Sequence, residues 1–344
     1  MKASFFSIGT YRNSVKIKGW PTAPAQWDRE AGREAMEFTL EQYARADEVG
    51  FDWVSFSEHH YMPLLLQPNP MVMAAAVSQV VKRAKIALLG PIVSMSNPIR
   101  IAEEIAMVDG LSGGRVITLF LRSGGFEYAT YTENLSESRE RTQEASLLIK
   151  RALSEPQPFG WEGRQFSYRT VSIWPQMVQE APPFYYSGNS VESAEFAAKN
   201  KFGLACSFFP PEFLGQIVSH YKAEADRAGW KPTRDQLVYR GLCVLGDTDK
   251  EAQEMAKAFT NRNNDDDETP VGQAFGNLQF VGSPSTVVEQ LREIHEAGFG
   301  VADVLLVGKM REHQSVLRAI DLFAAEVLPE IRKFDEPAKK LLEV

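Results

Sequence analysis

Histidine and cysteine are scarce in this chain. Its 344 residues include five histidines and two cysteines, so few of the side chains that bind zinc and related metals are available. Three of the histidines, His220, His295 and His313, fall in helical or pre-helical stretches. We therefore expect no catalytic metal site. Cys206 and Cys243 lie in apolar, strand-like contexts, which is typical of buried free thiols in a reducing compartment.

Long apolar runs are also missing. No stretch reaches the roughly 20 residues that a membrane span needs, and the start of the chain, MKASFFSIGT, turns polar too soon for a signal peptide. The sequence therefore predicts a cytoplasmic protein. The chain has 45 acidic and 37 basic residues, a formal net charge of −8. This charge argues against nucleic acid or an anionic membrane as the main partner.

Two common enzyme signatures are absent as well. No G-x-G-x-x-G follows the first predicted strand, which argues against a dinucleotide site of the Rossmann type. No G-x-S-x-G nucleophile elbow occurs, and no pair of carboxylates can be singled out. The sequence therefore does not resemble a hydrolase.

What the chain does contain is a regular alternation of strand-like and helix-like stretches. The eight predicted strands are 2–8, 51–56, 85–93, 116–121, 184–187, 203–207, 237–245 and 303–307. The predicted helices are 33–49, 71–81, 99–111, 137–153, 191–200, 211–228, 249–262, 285–297 and 314–328. This alternation predicts one (β/α)8 TIM-type barrel domain over residues 1–344, with a doubly wound open sheet as the alternative. The stretch 155–183, after the fourth helix, is predicted to be an insertion the size of a hairpin.

One stretch, FDWVSFSEHHYMPLLLQPNP, organises the chain. It begins as an apolar strand and changes abruptly to Glu58, His59 and His60. In a parallel barrel the carboxyl ends of the strands form the ligand site. We therefore predict that His59 is catalytic and that His60 is structural. Glu58 is a second catalytic candidate, which either orients His59 or faces a backbone donor.

A second cluster lies in YYSGNSVESAEFAA, which reads as a strand, a turn of small residues and a helix. The turn offers backbone N–H groups with the hydroxyls of Ser190 and Ser193, which is a suitable arrangement for a phosphate. Gly188 and Asn189 complete the turn. Arg122, at the end of the fourth strand, could pair with the same phosphate. An ordinary capped helix is the alternative interpretation. A phosphate held at the rim of an apolar barrel suits a large, flat cofactor.

Five segments in order carry a family resemblance: GFDWVSFSEHH, NPIRIAEEIAMVDGLSGGR, Arg122 with the Gly-rich residues and Glu127 after it, SGNSVESAEFAA, and QFVGSPSTVVEQLREIHEAGF. In these the chain resembles the bacterial luciferase-like flavin-dependent monooxygenases, and the resemblance covers most of its length. It implies a barrel that takes reduced FMN from a separate flavin reductase and uses dioxygen to oxygenate a small organic substrate. Hydroxylation, Baeyer–Villiger insertion and aldehyde oxidation all stay open.

The resemblance also assigns residues. His59 matches the family's catalytic histidine, and Arg122, Ser190 and Ser193 match positions that hold the flavin phosphate. The family often has a cis peptide at the end of the third strand, which falls here at Leu89 and Gly90. Because a proline comes next, the cis bond is expected there or between Gly90 and Pro91.

Three further expectations follow. Family members are commonly dimers, and the predicted helices 71–81 and 99–108 are apolar over more than one face, which indicates a homodimer interface or burial under the insertion. The acidic segment 263–276, after the seventh strand, is either a lid over the flavin or a solvated loop. The alternatives for the function are a deazaflavin-dependent hydride-transfer enzyme on the same fold and a non-catalytic flavin-binding protein.

Overall fold

The centre of the molecule is a closed barrel of parallel strands. The computed structural model describes residues 1–9, 11–13, 20–63, 66–122, 125–131, 134–264, 278–307 and 312–335. The strands are β1 (Lys2–Phe6), β2 (Trp53–Phe56), β3 (Lys85–Ile92), β4 (Val116–Leu121), β5 (Phe159–Glu162), β6 (Ser167–Val171), β7 (Phe184–Ser187), β8 (Gly203–Ser207), β9 (Leu237–Leu245), β10 (Phe280–Gly282) and β11 (Val301–Leu306). Eight of them run parallel in the order β9-β11-β1-β2-β3-β4-β7-β8, and β8 pairs with β9 to close the ring. The prediction of a TIM-type barrel is confirmed.

Helices cover the barrel between successive strands. They are α1 (Arg29–Val49), α2 (Pro70–Val80), α3 (Pro98–Ser112), α4 (Gly125–Tyr131), α5 (Ser138–Ala152), α6 (Val191–Lys199), α7 (Pro211–Arg227), α8 (Asp249–Asn264), α9 (Pro284–Glu296), α10 (His313–Leu322) and α11 (Leu328–Ile331), with a π-helical turn at Phe323–Val327. None of the helices that the structure describes has the length and apolar content of a membrane span.

Three segments lie outside the regular alternation of strands and helices. The insertion contains the antiparallel hairpin β5–β6, as expected. The short helix α4 and the strand β10, which pairs with the end of β9, were not predicted. The proposed lid segment 263–276 begins at the end of α8, and its remaining residues lie outside the described part of the chain.

Side-chain caps explain where the main helices begin and end. Asp28 caps α1 by accepting a hydrogen bond from the Ala31 N–H at 2.8 Å, so this helix starts four residues before the predicted position 33. Asn97 caps α3 by accepting from the Ile99 and Arg100 N–H groups. Gly113 ends α3 with a φ of 70°, a left-handed conformation that glycine adopts at low cost.

A polar group lies inside the otherwise apolar barrel. The fully buried Asp303 accepts hydrogen bonds from Ser55 Oγ at 2.5 Å and from Arg240 Nε at 2.6 Å. The Arg240 guanidinium also lies 4.0 Å above the Phe6 ring. Each charge of this buried pair therefore has a partner, which a charge removed from water requires.

Strand β3 is irregular where it approaches the carboxyl end of the barrel. Its pairing with β4 shifts register between Leu89 and Ile92, and Gly90 has a φ of 144°. The cis peptide bonds in the described residues are Trp20–Pro21 and Trp174–Pro175. The expectation of a cis bond at Leu89–Gly90 or Gly90–Pro91 is therefore wrong. A bulge at a glycine of positive φ turns the strand here instead.

This bulge predicts a strong effect of Gly90→Ala. An added Cβ would lie 1.9 Å from Leu121 Cδ2, and alanine disfavours the positive φ. We expect the free energy of unfolding to fall by about 2–6 kcal/mol, since strained backbone and overpacking each cost roughly 1–3 kcal/mol. Gly110→Ala is the matched control, because its Cβ meets open space within α3 and should stabilise the helix by about 0.5–1 kcal/mol. Urea unfolding of both variants measures this, and equal stabilities would contradict the bulge.

Candidate active site at the carboxyl end of the barrel

The predicted site residues follow strands that are consecutive neighbours in the barrel. Glu58 and His59 follow β2, Leu89 and Gly90 lie within β3, and Arg122 follows β4. The turn 188–193 follows β7, which pairs directly with β4. All of these strands are parallel, so their carboxyl ends meet at one end of the barrel. The fold therefore brings the two predicted clusters to the same rim.

His59 is held by a residue that the sequence analysis had not assigned. Its Nδ1 lies 2.8 Å from Glu127 Oε1. The Glu127 carboxylate, in α4, is 1% exposed, whereas the His59 side chain is 33% exposed. A carboxylate that accepts from Nδ1–H fixes the orientation of the ring and leaves Nε2 for a ligand. This arrangement is suited to proton transfer between the imidazole and a bound molecule.

Glu58 contacts Ile92 and His60 and does not orient His59. Its Oε2 accepts the Ile92 N–H at 2.9 Å, and its Oε1 lies 3.0 Å from His60 Nε2. Both side chains are buried. Of the two alternatives for Glu58, the structure therefore shows the backbone donor. The carboxylate ties the segment after β2 to the bulged end of β3, and its catalytic assignment stays a prediction.

Helix α4 holds both histidines. Tyr131, one helical turn after Glu127, has its hydroxyl 3.3 Å from His60 Nδ1, and the two rings meet edge to face at 4.8 Å. Burial, and secondarily the charge of Glu58, raise the pKa of Tyr131 above its ordinary value. The hydroxyl therefore stays protonated and can donate to His60. His60 is packed and hydrogen-bonded, in the way expected of a structural residue.

The turn after β7 forms a tight N-terminus for α6. Ser190 caps the helix, with its Oγ accepting from the Ser193 N–H at 3.3 Å and donating to Ser193 Oγ at 3.2 Å. A Cβ at Gly188 would lie 2.2 Å from the Ser193 Cβ, so glycine permits this close approach. Asn189 spans to β8, where its amide donates to the Ser207 carbonyl at 2.8 Å and accepts the Ser207 N–H at 3.0 Å. The Asn189 side chain thus ties the turn after β7 to the end of β8.

Two arginines act electrostatically on the strand that precedes this turn. Burial raises the pKa of Tyr186, in β7, to about 12, and the positive charges of Arg122 and Arg139 act in the opposite direction. Arg139 also acts on Glu192 in α6. Sequence reasoning missed Arg139 because nothing in the pattern of α5 distinguishes it from a solvated arginine.

The donor set fits an anionic group such as a phosphate. Two guanidinium groups, two serine hydroxyls and a helix N-terminus all favour negative charge. Within the described part of the chain, the buried Tyr128 hydroxyl has no hydrogen-bond partner, and it lies close enough to Tyr186 to affect its pKa. Leu89, by contrast, is buried among side chains of the barrel interior. Contact of a cofactor with Leu89 or Gly90 stays a prediction.

The family model for luciferase-like monooxygenases matches residues 16–300. The chain belongs to this family. A relative, 3,6-diketocamphane 1,6-monooxygenase of Pseudomonas putida, is 22% identical, with 88% of this chain and 94% of that protein covered. The oxygenase component of the flavin-dependent trigonelline monooxygenase of Acinetobacter baylyi is 26% identical, with 67% and 64% covered. The chain covers only about half the length of some relatives, for example 52% of protein y4wF of Sinorhizobium fredii.

Solved structures with low sequence identity show the same fold. The monooxygenase RslO1 of Streptomyces bottropensis superimposes with a TM-score of 0.81 at 23% identity, covering 96% of this chain and 99% of that one. An F420-dependent secondary alcohol dehydrogenase in complex with an F420–acetone adduct superimposes with a TM-score of 0.72 at 16% identity, covering 96% and 99%. The fold therefore serves both oxygenases and F420-dependent dehydrogenases.

Proposed function

We propose that this protein is the oxygenase component of a two-component monooxygenase, which uses reduced FMN and dioxygen to oxygenate a small organic substrate. The observation that carries the proposal is the pairing of His59 with the buried Glu127 on the same rim as an anchor for a phosphate. The membership of the family and the relative named as an oxygenase component support it. The protein would act in the cytoplasm, with a flavin reductase as a transient partner.

The anchor would hold the phosphate of FMN. Arg122 and Arg139 supply positive charge, and Ser190, Ser193 and the first N–H groups of α6 supply donors. Hydrogen bonds to a charged group are stronger than neutral ones. The phosphate would therefore fix the position of the cofactor at the rim after β4 and β7.

Reduced FMN, when bound, supplies the electrons with which dioxygen is activated. His59 would act at the proton-transfer steps, because an imidazole exchanges a proton close to neutral pH. Glu127 would keep Nε2 of His59 aimed at the reacting molecule. Glu58 and His60 would act only by holding the segment that carries His59.

An apolar wall lies across the barrel from the anchor. Its inward-facing side chains are Phe6, Leu242, Val244, Leu305 and Val307, and α8 packs Met255 and Phe259 against them. Side chains of this kind exclude water from a reactive centre. They also suit an organic substrate of low polarity.

Two other functions are compatible with the same candidate site. A deazaflavin-dependent hydride-transfer enzyme is the second candidate, favoured by the fold of the F420-dependent dehydrogenase. The cofactor retained on purification, identified by mass, and oxygen uptake with reduced FMN would separate the two. A non-catalytic flavin-binding protein is less well supported, because such a protein would not need His59 paired with a buried carboxylate.

Arg122→Ala should weaken the binding of reduced FMN by about 1.5–3 kcal/mol, the range for hydrogen bonds to charged groups. Anaerobic titration measures the effect, which corresponds to roughly 10- to 150-fold in Kd. Arg227→Ala is the control, because this exposed arginine pairs with Glu224 in the last turn of α7, at the opposite end of the barrel. If Arg122→Ala and the control bind equally well, Arg122 does not belong to the anchor.

His59→Ala should leave the binding of reduced FMN nearly unchanged, because His59 lies apart from the phosphate anchor. Product formed per reduced flavin should fall, and the missing product should appear as hydrogen peroxide. His220→Ala, in α7, serves as the control and should keep the wild-type yield. An unchanged yield with His59→Ala would show that His59 is structural and that the proposed role is wrong.

We also propose that the protein is a homodimer through the outer faces of α2 and α3. Val72, Met107 and Leu111 are exposed there by 69%, 54% and 54%, and contiguous exposed apolar side chains mark interaction surfaces. Sedimentation should give twice the chain mass of 38.5 kDa. Replacing Met107 and Leu111 together by lysine should give monomers, whereas Phe213→Lys on α7 should not. A monomeric wild-type protein would rule this interface out.

A further inference from the structure

The barrel interior holds a charged side chain with unused hydrogen-bond donors. Arg240, in the middle of β9, donates from Nε to the fully buried Asp303 at 2.6 Å, and only 10% of its side chain is exposed. Its Nη2 is buried and has no hydrogen-bond partner within the described part of the chain. The ion pair therefore leaves part of the guanidinium unused, although a buried donor without a partner is costly.

Strand register closes the interior on the amino-terminal side of Arg240. Side chains two residues apart in a strand face the same side of the sheet, so Arg240 faces inward together with Val238 and Leu242. Val238 pairs with Val301 in the layer on the amino-terminal side, and these two residues are 1% and 0% exposed. The exposed part of Arg240 therefore faces the carboxyl end of the barrel, where the candidate active site lies.

The next layer toward the carboxyl end is apolar. Phe6 pairs with Leu305, and Leu305 pairs with Leu242. All three belong to the apolar wall described above. The central carbon of the Arg240 guanidinium lies 4.0 Å from the centroid of the Phe6 ring, so this ring covers one face of the guanidinium. A ligand that accepts a hydrogen bond therefore approaches in the guanidinium plane, along its N–H bonds.

The charge of Asp303 decides which acceptor suits this position. Arg240 and Asp303 together form a neutral pair, and Ser55 Oγ donates to the same carboxylate at 2.5 Å. A carboxylate on the ligand would have to leave water and lie beside Asp303, and both changes are unfavourable. A carbonyl oxygen accepts the hydrogen bond without a charge, and the hydrocarbon around it suits the apolar layer.

We propose that Arg240 determines the substrate specificity by donating a hydrogen bond from its Nη groups to an uncharged carbonyl oxygen of the organic substrate. The proposal rests on the proposed function and names its substrate class, a ketone or an aldehyde of low polarity. Asp303 is a positioning residue, which holds the guanidinium and balances its charge. The flavin ring also carries carbonyl groups. The position of Arg240 beneath the wall of β1, β9 and β11, and not beside the anchor after β4 and β7, favours the substrate.

The test measures the binding of probes that share a shape and differ at one group. Acetophenone is compared with α-methylstyrene, in which a methylene group replaces the carbonyl oxygen, and with benzoate, which carries a charge. The compounds 2-octanone, 2-methyl-1-octene and heptanoate give the same comparison for a flexible chain. Ligand-observed NMR titration of the protein without cofactor measures each Kd. In the wild type, the ketones should bind more tightly than the carboxylates.

The double variant Arg240→Gln/Asp303→Asn removes both charges and keeps the pair neutral. It should weaken the binding of the ketones by about tenfold or more, because a hydrogen bond to a charged group is lost. The Kd of the methylene compounds should change by less than about twofold. Asp303→Asn alone leaves the charge of Arg240 unbalanced, so the preference should shift toward the carboxylates by about tenfold or more.

Arg45→Gln/Asp321→Asn is the matched control. The Nε of Arg45 donates to Asp321 at 2.7 Å, but this pair joins α1 to α10 on the outer surface, so its loss should not change the binding of any probe. Unfolding curves show whether each variant is folded. The comparison of ketones with carboxylates in the wild type does not depend on the variants.

The outcomes separate this proposal from the proposed function. If the wild type binds neither ketone more tightly than its carboxylate, or if the double variant weakens ketones and methylene compounds equally, Arg240 does not recognise a carbonyl group. If the double variant weakens the binding of riboflavin and leaves the ketones unchanged, the acceptor belongs to the flavin and the proposal fails. If the ketone preference is found but reduced FMN supports no oxygen uptake, the proposed function fails, whereas the carbonyl recognition by Arg240 stands.

Discussion

The hydrogen bonds between β8 and β9 close the parallel sheet, and the rest of the structure depends on this closure. Leu204 pairs with Leu237 and Ser207 with Arg240, which leaves no free edge between the two ends of the sheet. Because all eight strands are parallel, closure brings their carboxyl ends into one ring. Closure therefore turns the histidine segment after β2 and the serine turn after β7, which three strand pairings separate, toward the same opening of the barrel.

Much of the fold could be predicted because local and tertiary signals agree. The apolar runs of β4, β7, β8 and β9 are bounded by glycine or polar residues, and their observed limits match the predicted ones. Helix α4 was missed because seven residues carry too little periodicity to be recognised. The β3 bulge was missed because the same Leu89–Gly90–Pro91 sequence is compatible with a cis bond or with a glycine of positive φ.

The sequence predicted at which end of the barrel the site residues lie, but not which side chains contact each other there. His59 and Glu127 are 68 residues apart, so their contact depends on where the barrel places α4. The partner of Glu58, by contrast, could be found from the sequence. In extended backbone, residues i and i+2 face the same side, so Glu58 is directed toward His60 and away from His59. Arg139 could not be found in this way, because its charge acts on Tyr186 only through the tertiary fold.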